Sequence, residues 1–586
     1  MRWWKYILPA ACGLFLLLFL LVPVALSIQA GFKDDGRWTL FWLKQAMGDV
    51  WVSYSAPWWQ HVVRVLGQIA RMLWSNDPLP NALRVALATT AGVFLLGVPL
   101  AVLGDQVQFR GKSLATGLLM APMILPPFVG AIAMRKLMAQ HAGPFNLLLG
   151  HLGLPAVDWL GSGFWGVVVL EVLHLYPILF LNASAALANV DPTMVEAARN
   201  LGAGRWRAFR KVTLPLIMPG LFAGGTIVFI WSFTELGTPL MLGYEHVLPV
   251  KIFQGFNTLE TPAKTFSQVF IMLSASVGLY AVGKMLFGRS AAATAGRGVA
   301  ATQRRVGWAG SLLCWAAFGG VTLVAMLPHT GVLLMAFAGR WGMTILPESY
   351  TLDNFARVFQ DADTWNSIVN SLQYASAATA IDIVLGLAVA YAVVRQKPPG
   401  AEALDWLAML PLAVPGLVIA SGYVALTTAP PPIPVLRELL GSMSPRENPA
   451  LILVIAYSVR RLPYMVRSIS AGLQQTSVTL EEAARNLGAS PLRTVWRITV
   501  PLISANVLAG AILSFSFAML EVSDSLILAQ TREFYPITKQ IYELRELGNM
   551  QFVAAALGAL CMLLLIGTLL AANLLLKRRM GALFRV

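Results

Sequence analysis

Few side chains in this 586-residue sequence are equipped for chemistry, and their spacing narrows what that chemistry is. The six histidines are scattered, and no HExxH pair sets two imidazoles on one helix face to hold zinc. Cys12, Cys314 and Cys561 lie far apart in apolar runs, without disulfide or metal-type spacing. Gly111-Lys112-Ser113 has the end of a phosphate-cradling loop, but Gln106 stands where its first glycine is needed and no strand precedes it. Neither a catalytic residue nor a metal site is expected. Two polar features remain. One is a set of charges inside apolar runs: Glu171 and His174, Glu235, then Arg460, Arg461 and Arg467, and finally Glu521 with Asp524. An ionised group at mid-bilayer costs about 2.5–3.5 kcal/mol, so such residues face a cavity or a partner. Glu235, Glu521, Arg460, Arg461 and Arg467 are therefore candidates for a pathway or gate. The competing reading is arginine–glutamate pairs that lock helices, or arginines that snorkel to the surface.

The other feature is a heptapeptide, Glu-Ala-Ala-Arg-Asn-Leu-Gly, present at Glu196–Gly202 and again at Glu482–Gly488. Each copy is followed by a branched residue (Val212, Ile498) and then a proline (Pro215, Pro501) at the same distances. Thr193 and Thr479 stand three residues before the glutamates, which predicts a capping box opening a short helix, and Asp191-Pro192 adds a start signal. Ala-Ala gives a small face for close approach, and Gly202 or Gly488 ends the turn where other residues resist the backbone. A polar helix-turn-helix presented twice is a docking element.

The elements that carry these residues are membrane spans. Hydrophobic residues make up 57 % and charged residues 12 %, with mean hydropathy +0.67, against about 25 % charged in a soluble domain. Runs of spanning length fall at 7–30, 81–104, 114–137, 164–189, 214–242 and 266–288, then at 307–338, 370–394, 403–429, 449–472, 501–529 and 550–576. The first, behind Arg2 and Lys5, reads as a retained signal-anchor helix. Arg199, Arg205, Arg207, Arg210 and Lys211 crowd the first repeated loop, four arginines the mid-chain linker, and Lys577, Arg578 and Arg579 the end. That asymmetry puts both termini and both loops in the cytosol. It accounts for most of the net charge of +15 without nucleic acid; Arg135 and Lys136, at an outer helix end, are the exception. Trp38, Trp42, Trp58, Trp59 and Trp74 read as an interfacial belt.

The duplication extends through the spans. Asn81 and Asn370 each open a helix, with Thr90 and Thr379, then Gly97 and Gly386, at equal distances. Pro122 and Pro126 match Pro411 and Pro415; Pro177 matches Pro463, Glu235 matches Glu521, and His174 aligns with Arg460. An even number of spans per repeat gives both halves one orientation. The expected fold is all-α, a polytopic membrane protein of about 12 transmembrane helices in two parallel six-helix repeats. Residues 1–290 form the first, 291–306 a basic cytosolic linker, and 307–586 the second.

The heptapeptide with its tail resembles the signature loop of the membrane subunits of bacterial ABC importers. Ser458-Val459-Arg460-Arg461-Leu462-Pro463-Tyr464 and Phe233-Thr234-Glu235-Leu236-Gly237, in a fused two-half chain, are most similar to ferric-iron-type permeases, with thiamine and polyamine permeases as near relatives. The resemblance implies that Glu196, Ala197, Ala198 and Gly202, and Glu482, Ala483, Ala484 and Gly488, couple to a cytosolic ATPase. Val500, where the family usually has Leu, is a mild departure. It further implies two copies of that ATPase holding ATP and Mg, and no cofactor in this chain. The other partners are an extracytoplasmic solute-binding protein and membrane lipid, in the bacterial inner membrane. Ferric iron is the expected solute, with thiamine, polyamines, sulfate-like oxyanions and phosphonates as alternatives. A secondary transporter driven by an ion gradient also uses parallel repeats, but has no use for paired docking loops.

Overall fold

The computed structural model describes residues 4–34, 36–46, 75–123, 126–258, 262–287, 303–428, 437–438, 441–546 and 550–583. The expected linker lies outside the described residues over 291–302, as do Trp58, Trp59 and Trp74. The chain is an all-α polytopic membrane protein. Among the described residues, seven helices are long and apolar enough to cross a membrane, or ten if each of three bent pairs is one span. Pro262–Phe287 and Ala450–Gln475 occupy the two remaining runs.

Three spans expected to be continuous are broken, and the sequence holds the reasons. Lys112–Met123 and Pro127–Leu137 meet at 89°, and Ala401–Leu412 and Gly416–Thr428 at 103°. The matched prolines sit at these breaks, where each removes a backbone donor and clashes with the preceding turn. Pro491–Leu502 and Ser504–Met519 meet at 77°. The runs 214–242 and 501–529 also end early: helix stops at Phe233 and Met519, and short helices resume at Gly237–Leu242 and Ser523–Leu528.

The chain divides into two compact units, one of Met1–Ala46, Ile252–Leu273 and Phe355–Val586, the other of Met47–Lys251 and Ser274–Asn354. Each takes the opening span of the other repeat. In the first unit the helix Tyr6–Gly31 packs on the second repeat: Tyr423 donates to the Phe19 carbonyl at 2.6 Å. A Cβ at Gly422 would meet the Pro23 carbonyl carbon at 2.7 Å. In the second unit the helix Trp308–Ala325 packs on the first repeat, with Phe318 against Phe109 and Phe180. The awkward pair finds partners there too, Arg135 at the Met241 carbonyl and Lys136 at that of Gly342.

Each repeat is built on three helices. In the first these are α1 (Pro78–Gln106), α2 (Phe164–Ala188), followed by the short loop helix α3 (Pro192–Asn200), and α4 (Leu214–Phe233). In the second they are α5 (Ala362–Tyr391), α6 (Ala450–Gln475), followed by the loop helix α7 (Thr479–Asn486), and α8 (Ser504–Met519). The duplicated residues explain how α1 and α5 seat. Asn81 donates to the His246 carbonyl and Asn370 to that of Glu533, both at 2.8 Å. A Cβ at Gly97 would press on the Tyr176 carbonyl at 3.3 Å, and one at Gly386 would strike Met465. Small residues at such crossings let helices approach closely where lipid supplies no hydrophobic drive.

One buried acid ties each trio together. Glu171 on α2 accepts hydrogen bonds from Thr89 on α1, at 3.1 Å, and from Ser232 on α4. Asp382 on α5 accepts from Ser458 on α6, at 2.7 Å, and from Ser514 on α8. The acid has changed helix between repeats while the three-helix node is kept. Interhelical bonds of this type in membranes are worth about 0.6–1.7 kcal/mol. Ser232→Ala and Ser514→Ala should each lower stability by about that amount in detergent unfolding, and Asp382→Ala by more than Asp382→Asn.

Candidate functional site

The two repeated loops fold alike, and their caps lie earlier than the threonines suggest. In α3 the N-cap is Asp191, whose Oδ1 accepts from the Thr193 amide at 2.9 Å and its hydroxyl at 2.8 Å. Those bonds, the hydroxyl's first, hold the Asp191 carboxyl below its ordinary range. At the matched position before α7, Ser477 accepts from the Thr479 amide at 3.3 Å. In place of the capping boxes expected from Thr193 with Glu196 and from Thr479 with Glu482, Asp191 caps α3, while α7 opens on Val478 without a side-chain cap and Ser477 only reaches its first amide. A side chain two residues upstream reaches the same first-turn amide, and this leaves both glutamates exposed on the loop.

The glycines behave as expected. Gly202 has φ +84° and Gly488 φ +86°. Gly202 N donates to the Arg199 carbonyl and Ala203 N to that of Ala198, at 2.9 and 3.0 Å; Gly488 and Ala489 repeat the pattern on Arg485 and Ala484. These are Schellman turns, which satisfy the last carbonyls of each helix. No atom lies within 4 Å of a Cβ built on either glycine, so the requirement is the backbone angle alone. After each turn the chain enters the next span through a π-helical turn, Phe209–Thr213 and Val495–Thr499, at matched positions.

Both loops carry bare apolar side chains. Leu201 is 90 % exposed and Leu487 89 %. Met194 and Leu480, and Trp206 and Leu492, form further exposed matched pairs. Ala197 and Ala483 are exposed beside them, Ala198 is half-buried and Ala484 buried.

The membrane charges separate into different environments. Glu521 is 3 % exposed and bonds both Arg460, at 2.5 Å, and Arg461. Asp524 stands 3.6 Å from Arg460. Two cations thus meet two anions, which limits the cost of burying any of them. Gly416 leaves the space that the Arg460 guanidinium fills, since a Cβ there would collide with it. Arg461 also lies over the Phe517 ring at 5.4 Å. Arg467 is exposed and points to the Met409 sulfur at 3.2 Å, away from this cluster. Glu235, the counterpart of Glu521, is half-buried and accepts from the Thr238 amide at 3.2 Å, capping the helix Gly237–Leu242. Both glutamates occupy the matched break between the spanning helix and the short one. His174, aligned with Arg460, sits with Nδ1 3.2 Å from the Pro122 carbonyl.

Some participants were not legible in advance. Asp382, in the middle of an apolar run, is the signal that the sequence reading passed over. Glu481, one residue before the repeated glutamate, is 2 % exposed and bonded to Arg395. Its position beside an exposed motif gave no hint of burial.

A model of the family described as binding-protein-dependent transport system inner membrane component matches residues 93–292 and again 382–581. The chain is 27 % identical over 524 residues to the ferric transport system permease protein FbpB of Actinobacillus pleuropneumoniae, covering 87 % of this chain and 72 % of that one. It is 27 % identical over 488 residues to the putative ferric transport system permease protein FbpB 1 of Haemophilus influenzae, with 81 % and 73 % covered. A shorter similarity, 31 % over 173 residues, links it to the molybdenum transport system permease protein ModB of Escherichia coli K12, covering 28 % of this chain and 72 % of that one.

The charge cluster makes a stability prediction. Glu521→Gln leaves the buried Arg461 and the half-buried Arg460 facing one acid and should cost about 3–5 kcal/mol in detergent unfolding. Neutralising Arg461 in the same chain should recover much of that loss, whereas additive losses in the double variant would show that the pair is not coupled.

Proposed function

The chain belongs to the binding-protein-dependent transport system inner membrane components and is the permease of an ABC importer, and we propose that its two repeated loops each dock one copy of a separate cytosolic ATPase. One observation carries this reading: Leu201 and Leu487, at the same place in two identical heptapeptides, are almost wholly bare. A matched pair of exposed leucines, each held on a Schellman turn and flanked by further apolar side chains, marks two equivalent protein-binding surfaces. Glu196, Ala197, Ala198 and Gly202 belong to the first, and Glu482, Ala483, Ala484 and Gly488 to the second. ATP and Mg are held by the ATPase subunits, and the permease supplies the solute route.

The loops and both termini face the cytosol of a bacterial inner membrane, as the placement of lysines and arginines argues. Solute arrives from an extracytoplasmic binding protein. Ferric iron is the proposed solute, because the relatives named for ferric transport match most of the chain. Within its own repeat, each matched helix break, at Glu235 and at Glu521, is a gate element. Irregular backbone at membrane depth is tolerated where it is buried in protein or lines a cavity. Arg460 and Arg461 hold the second break through Glu521. Arg467 has no part in it.

Leu201→Ala and Leu487→Ala should each weaken ATPase association with the purified permease at least about tenfold, equivalent to about 1.4 kcal/mol, while membrane insertion is unchanged. Gly202→Val together with Gly488→Val should abolish binding-protein-dependent iron uptake, because a β-branched residue resists positive φ. Full uptake by that double variant would exclude the loops as couplers.

A further inference from the structure

The two loop helices share seven identical residues, yet they are held differently. One position before the repeated glutamate, the first copy has Val195 and the second Glu481. Glu481 turns inward. Its Oε1 accepts from Arg395 Nε at 3.1 Å, and its Oε2 from the Tyr391 hydroxyl at 3.2 Å and from Arg485 at 3.4 Å. Arg485 also donates to the Tyr391 oxygen at 2.9 Å. Arg395 reaches on with Nη2 to the carbonyl and the hydroxyl of Thr476, both at 2.9 Å.

Tyr391 and Arg395 at the end of the α5 span and Arg485 of α7 therefore meet at one carboxylate, and Arg395 links it on to Thr476. The network thus ties the π-helical turn Ala392–Gln396 that ends the α5 span to α7 directly, and to the residue following α6 through Arg395. The corresponding residues of the first repeat are Gln106, Val102, Val190 and Val195, and of this network only Arg199 is retained there, opposite Arg485. The first repeat lacks the side chains to build it. Accordingly α3 buries no residue, while α7 buries Glu481 and Ala484.

We propose that Glu481 is a positioning residue for coupling: through Arg395 it straps the second docking helix to the α5 span, so the two move as one body. An apolar side chain such as Val195 offers no directional bond and lets the helix slide. A charge-assisted pair fixed at both ends has a defined geometry and carries displacement along it. The two docking surfaces then look alike to an ATPase but act unequally on the permease. This inference rests on the ATPase-docking reading above.

The test uses the full chain with its ATPase and binding protein in proteoliposomes, measuring iron transported per ATP hydrolysed and ATPase co-purification. Glu481→Val copies the first repeat and leaves Leu480 and Leu487 in place. It should retain the ATPase and basal hydrolysis while transport per ATP falls at least about fivefold, the lower end of typical coupling effects. Glu481→Asp should restore part of it. If the valine variant fails to assemble, Glu481→Gln with Arg395→Gln leaves no buried charge unpaired, since Arg485 is exposed, and should show the same loss. A wild-type transport-to-ATP ratio in either variant overturns the strap. Leu487→Glu separates the two ideas: if it keeps the ATPase and full transport, the docking reading itself fails. If it loses the ATPase while Glu481→Val couples normally, only the strap fails.

Discussion

A polar group inside a bilayer has to find its partner within the protein, because lipid offers none. Most of this structure follows from that constraint. Arg461, Glu521 and Asp524 are buried with the half-buried Arg460 as a group of two basic and two acidic side chains. Glu171 and Asp382 each gather hydroxyls from two neighbouring helices. Where the backbone breaks at Glu235 and Glu521, the freed groups are taken up locally. Thr238 donates to the Glu235 side chain, and Thr538 and Ser525 to the Glu521 carbonyl. Apolar matter then needs only to fit, and matched glycines at crossings let it.

Outside the lipid the constraint lifts, and the repeated loops show the opposite character. Both loop helices close on Schellman turns, and Asp191 caps the start of the first, yet they leave leucines in water. Apolar side chains presented in this way are what the proposed docking surfaces require. The same economy explains why identical heptapeptides serve two sites while their supports differ. In the proposed reading the motif is the face offered to the ATPase, and the residues just outside it tie that face to the permease.

Much of this was legible because duplication acts as an internal control. Asn81 with Asn370, Gly97 with Gly386, and the paired prolines each recur at one spacing, and each has the same task in both copies. Gly202 and Gly488 announced positive φ by type and place. What stayed hidden was whatever the repeats do not share. The acid of the three-helix node sits on α2 in one repeat and α5 in the other, so alignment pairs neither. Glu481 faces Val195, and its partner Arg395 faces Gln106. The breaks after Phe233 and Met519 were hidden for another reason: long apolar stretches on either side keep the hydropathy high across them although Glu235 and Glu521 sit within. Thr193 and Thr479 misled because a better acceptor, Asp191 or Ser477, stood two residues before.

The central claim is that one chain offers two ATPase docking surfaces. Native mass spectrometry of the transport-active complex, extracted with its ATPase and reconstituted in parallel to confirm uptake, addresses it directly. The account predicts one copy of this chain with two ATPase subunits, reduced to one when Leu201 or Leu487 alone is replaced by glutamate. A transport-active particle carrying a single ATPase, or none, would contradict it.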